Sequence, residues 1–115
     1  MYGQTRKDLI QMIELLEEDD TRWSQFFQRA LVAFDNGEYR RCAEIILSGS
    51  GGMGSLNDLV LGQTTDQHGK FQWKLNHEEI NSKYQELLSS LYAFSRGIRR
   101  AANKQRQHRP SGWTR

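Results

Sequence analysis

Leu9, Met12, Ile13 and Leu16 recur at intervals of three and four residues, and the same spacing returns in three later stretches of the chain. That period places apolar side chains on one face of an α-helix, whereas a strand would show them at every second residue. The first stretch covers about residues 4–18. Asp19, Asp20 and Thr21 then offer an N-cap to a second helix that carries Trp23, Phe26, Phe27, Ala30, Leu31 and Phe34. This aromatic run is the expected centre of the core. Asn36-Gly37 ends it, with Gly37 suited to the left-handed position that follows a helix. A third helix, about residues 38–47, is expected to bury Tyr39, Cys42, Ile45 and Ile46. Asn76-x-x-Glu79 resembles a capping box, and Ile80, Tyr84, Leu87, Leu88, Leu91 and Tyr92 carry a fourth helix to about Ala102. The pattern predicts a mainly α fold, a compact bundle of about four helices. Trp23, Phe27, Leu31, Ile45, Leu88 and Leu91 should lie in its core. Residues 1–103 read as one helical domain and residues 104–115 as a basic tail without periodicity.

The stretch between the third and fourth helices obeys no helical period. Gly49, Gly51 and Gly54 fit the spacing G-x-G-x-x-G, which can mark a dinucleotide-binding turn. Such a turn needs a strand before it, a long helix after it and an acidic residue about twenty positions on. Here YRRCAEIIL precedes the glycines at helical spacing, and Gly62 interrupts whatever follows. A helix end that needs left-handed residues explains the glycines better. Ser55 and Asp58 are spaced to cap a short helical turn, which would staple Asn57 and Asp58 beside Leu56, Leu59 and Leu61. Farther on, Leu59-Val60-Leu61 and Phe71-Gln72-Trp73 flank a polar stretch and fit either a small β-hairpin or an irregular flap.

Charge is divided along the chain. Residues 96–115 hold seven basic side chains and no acidic one, while the other 95 residues hold nine basic against fourteen acidic, a net of −5. The overall +2 describes neither part. No apolar run reaches the length of a membrane span or a signal peptide, and the lone Cys42 cannot form an internal disulfide. A cytoplasmic protein is expected. Cys42 falls on the apolar stripe and reads as a core residue. His68, His77 and His108 have no second ligand at metal spacing, so neither a metal nor a cofactor is expected. The serines lack a neighbouring base, and His77-Glu78-Glu79 suits the first turn of a helix, so no catalytic group is expected.

GGMGSLNDLVL, residues 51–61, resembles the signature of an uncharacterised family of small bacterial proteins, a domain of unknown function. In that family an acidic helical segment precedes the motif and a long helix ends the domain, as here over roughly residues 8–100. The chain departs from it at Gly49-Ser50, where the family commonly has apolar residues. The resemblance implies no activity. In size and style it is similar to immunity proteins, which neutralise toxins by covering their active sites.

A non-enzymatic protein-binding module of that kind is therefore the expected function, with a protein partner, most plausibly a basic bacterial toxin, drawn to the acidic body. The expected contacts are the acidic turn Glu17, Glu18, Asp19, Asp20 and the loop carrying Gly52, Met53, Asn57 and Asp58. The rival reading is a small nucleic-acid-binding or regulatory protein acting through Arg96, Arg99, Arg100, Lys104 and Arg106.

Overall fold

The computed structural model describes residues 2–19, 21–50 and 55–107. Its elements are α1 (Gly3–Glu17), α2 (Thr21–Asp35), α3 (Tyr39–Ser48), a single 3₁₀ turn (Leu56–Asp58), β1 (Gln63–Thr65), β2 (Phe71–Trp73) and α4 (His77–Gln107). Helix α1 packs on α2 and α4, and α3 packs on the same two, which closes a four-helix bundle. At 31 residues α4 is twice the length of α1, about 46 Å at 1.5 Å per residue.

The stripes read from the sequence face one another. Leu9, Met12 and Leu16 of α1, Phe27 and Ala30 of α2, Cys42 and Ile46 of α3, and Tyr84, Leu88 and Leu91 of α4 form one buried cluster. Each large side chain buried there contributes about 1.5–3 kcal/mol relative to exposure. Leu56 and Leu61, from outside the helices, complete the cluster. At the opposite end from the α1–α2 turn, Tyr2, Phe34, Tyr39 and Phe94 pack mostly edge to face with centroids 4.9–6.4 Å apart. Gly37 has φ +77°, as its place after α2 required.

Several expectations are corrected. Trp23, Leu31 and Ile45 are only half-buried, because they sit at the edges of their stripes and pack over the core rather than within it. Tyr39 is exposed at the aromatic end. Gly49 is not left-handed: its φ is −83°, and it is glycine for lack of space. A Cβ there would stand 2.6 Å from Leu56 Cδ1 and 3.1 Å from Phe26 Cζ, so the end of α3 can meet the 3₁₀ turn only without a side chain. The Ser55 side chain makes no cap hydrogen bond, and the turn closes instead through the Asp58 N–H and the Ser55 carbonyl at 3.0 Å.

The hairpin exists, but its first strand is Gln63–Thr65 rather than Leu59–Leu61. Leu61 is buried against α4 with its N–H and carbonyl both held by Asn81, which leaves no backbone group for a ladder. Gly62, at φ +82°, then turns the chain into β1. Helix α4 runs five residues beyond Ala102, over polar and basic positions with no Gly or Pro to stop it.

Candidate protein-binding surface

The segment 55–62 is fastened to α4 by three side chains one or two turns apart. Tyr84 donates its buried hydroxyl to the Leu56 carbonyl at 2.7 Å, and Tyr92 donates to Asn57 Oδ1 at 3.0 Å. Asn81 Oδ1 accepts the Leu61 N–H at 2.7 Å, while its Nδ2 lies 2.8 Å from both the Leu61 and His77 carbonyls. Polar backbone carried this deep needs such partners. Asn57 is thereby occupied within the chain, whereas Asp58 stays exposed beside a shallow depression of about 320 Å³ shared with Arg22, Trp23 and Val60.

The acidic turn is tied to the same segment. Asp19 Oδ1 accepts the Gly62 N–H at 3.3 Å and lies 3.4 Å from Lys74 Nζ. This carboxylate, expected to cap α2, thus joins the α1–α2 turn to the base of the hairpin. Glu17 and Glu18 remain exposed. Of the expected contact residues, the structure ties Asp19 to the 55–62 segment, engages Asn57 with α4 and leaves Glu17, Glu18 and Asp58 exposed without a contact between them, while Asp20, Gly52 and Met53 lie outside the described residues.

What the sequence reading missed is the exposed aromatic face of the hairpin. Its register pairs Gln63 with Trp73 and Thr65 with Phe71. Residues two apart share a face, so Phe71 and Trp73 stand together, with ring centroids 5.1 Å apart. Among the described residues only His77, at the start of α4, packs on this pair. Phe71 is 55% exposed, Trp73 44% and nearby Val60 47%, and Leu75 is fully in water. Trp73 is held by stacking on His77 at 4.6 Å, and the Lys74 N–H donates to the Gly62 carbonyl at 2.8 Å. At the far turn Asp66 Oδ1 accepts the N–H groups of His68 and Lys70 at 2.8 and 2.9 Å. A signal was present: an aromatic pair opposite Gln-Thr-Thr has no apolar partner strand to pack with.

The basic side chains divide into used and unused. Arg99 makes a two-point bridge to Glu44 at 2.8 and 3.2 Å, which holds the Glu44 carboxyl below its ordinary range. Arg96 lies over the Tyr92 ring at 5.3 Å. Arg100 and Lys104 are exposed, and the Arg106 side chain lies outside the described residues. Cys42 is buried, which pushes its thiol pKa up to about 12 and keeps it protonated at neutral pH. Among the described residues no three His, Cys, Asp or Glu side chains gather as a metal site, and no helix is long and apolar enough to cross a membrane.

The family model of a domain of unknown function, DUF6966, matches residues 16–73. That span runs from the end of α1 through the acidic turn, α2, α3 and the 55–62 segment to the last residue of β2. No curated protein and no solved structure matches the chain. With half of its length matched, the chain belongs to the DUF6966 family.

Proposed function

We propose that this protein is a non-enzymatic binding module that recognises another protein through the hairpin end, and that it neutralises a basic bacterial toxin by covering its active site. The observation that carries the reading is the exposed aromatic pair Phe71 and Trp73, with Val60 and Leu75 exposed as well, on a hairpin whose base is tied to the acidic turn by Asp19. Large apolar side chains clustered in water are costly unless a partner covers them, and Trp is the residue type most often dominant in such contacts. The exposed Glu17, Glu18 and Asp58 favour a partner that is basic around an apolar contact. Occlusion asks nothing chemical of the protein, only a rigid projecting surface. The pinning of residues 55–62 to α4, with Asp19 and Lys74 at the hairpin base, supports such rigidity.

Co-expression tests the reading. The product of a gene adjacent to this one should arrest growth when expressed alone and be harmless beside the wild-type chain. Protection should fail with Phe71→Ala and Trp73→Ala together. If no neighbouring product is toxic, or if the double variant protects as well as wild type, the reading is wrong.

A further inference from the structure

The long helix α4 gives the molecule a second end of opposite character. Arg96, Arg100 and Lys104 are spaced by four residues, so they form a row along one face, about 6 Å apart along the axis. All three are exposed. Arg40 of α3 lies alongside: with Glu44, Arg99, Ala102 and Asn103 it lines a cleft of about 280 Å³ between α3 and the neighbouring face of α4. The acidic group in that cleft, Glu44, is already neutralised by Arg99.

At this end Asp35 is bridged to Arg6 and Glu44 to Arg99, which offsets part of the repulsion that a body of net −5 exerts on a polyanion. The acidic turn lies against the start of α4, where Glu18 and Asp19 share a depression with Ile80 and Lys83. From Ile80 to Arg100 along α4 is about 30 Å, several times the Debye length of about 8 Å at physiological salt. Repulsion from the acidic end is therefore screened at the basic row. Tyr92 beneath Arg96 is buried, and Gly97, Ala101, Asn103 and Gln105 beside the row are small or polar, so it presents no large exposed apolar side chain to insert into a lipid surface.

We infer that the outer face of α4, through Arg96, Arg100 and Lys104 with Arg40 beside them, binds the phosphodiester backbone of nucleic acid without reading sequence. The inference does not rest on the toxin-neutralising reading, and the two use opposite ends of the molecule.

Fluorescence anisotropy with a short labelled oligouridine, and with a DNA duplex of the same length, tests it on the full chain. Four phosphate contacts predict a slope of log affinity against log salt of about −3 for the single strand. Replacing three of the four cations (R96Q, R100Q and K104Q) should make the slope shallower by about 2 and weaken binding at low salt at least tenfold. The exposed pair R100Q and K104Q alone should give an intermediate loss, should the triple variant fold poorly. Glu17→Gln with Glu18→Gln should leave nucleic-acid binding unchanged while slowing capture of a protein partner. Absence of binding to either oligonucleotide at low salt would overturn the proposal. So would an unchanged slope in both cation variants, or binding to phosphatidylserine vesicles in place of both oligonucleotides.

Discussion

Glycines show how differently one residue type is used along this chain. Gly37 and Gly69 have φ +77° with open space where a side chain would go, so only the backbone conformation asks for glycine. Gly62 carries both constraints: φ +82°, and His77 Cβ and Cα at 2.6 and 2.9 Å from where a Cβ would stand. The His77 backbone belongs to the first turn of α4 and cannot move alone. Gly37→Ala should therefore cost about 1–2 kcal/mol, the usual penalty for a left-handed non-glycine residue. Gly62→Ala should cost about 1–3 kcal/mol more through overpacking. Urea denaturation of both variants checks the order, and equal losses would mean that the approach to His77 is not tight. Cys42 offers a second test at this scale. Its folded pKa of about 12 stands above the ordinary 9.0, so the thiol favours folding fully below about pH 9. That contribution fades as the pH rises from there toward 12. A thiol reagent at pH 8 should react slowly with native protein and rapidly in denaturant. Fast reaction with native protein would show that α3 opens readily.

Each helix was legible because its stripe holds a 3.6-residue period long enough to outvote local exceptions. In α4 Tyr84, Leu87, Leu88, Leu91, Tyr92 and Ser95 are buried, with Gln85, Glu86, Ser89, Ser90 and Ala93 exposed between them. The segment 55–62 was not legible, because nothing local determines it. Leu61 is buried by Asn81, twenty residues away, and the 3₁₀ turn is held by the hydroxyl of Tyr84, twenty-eight away from Leu56. The strand was misplaced for the same reason: Leu59, Val60 and Leu61 have strand-like residues, but their backbone is spent on α4. The candidate surface was half legible. Acidic residues announce themselves in a sequence, whereas the exposure of Phe71 and Trp73 depends on the hairpin standing off the bundle, touched only at His77 among the described residues. Tyr84→Phe tests this tertiary control directly. It removes the short hydrogen bond to the buried Leu56 carbonyl and leaves only the longer one from the Leu59 N–H at 3.4 Å, which should lower stability by about 1–2 kcal/mol. Hydrogen exchange should also quicken at the Leu56 and Leu61 amides. A loss near zero, with exchange unchanged, would show that packing alone holds the segment.

At the scale of the molecule the four-helix bundle acts as a holder for its two ends. One end gathers the α1–α2 turn, the 55–62 segment and the hairpin, all within the matched family span of residues 16–73. The other carries the basic rows of α3 and α4. The hairpin adds little to the core, since all six of its strand residues are exposed, and a two-stranded hairpin alone is marginal in water. Removing its aromatic pair should therefore leave the melting temperature almost unchanged, unlike Phe27→Ala in the core, which should cost about 3–5 kcal/mol. That separation of stability from binding makes the proposed contact surface accessible to one experiment, a calorimetric titration of the adjacent gene's product, the proposed toxin, with wild type and with the Phe71→Ala, Trp73→Ala variant. Loss of two anchors worth about 2 kcal/mol each predicts a Kd raised roughly a thousandfold, with unchanged melting. A Kd within about threefold of wild type would contradict the account, since the uncovered aromatics would then not be the contact surface.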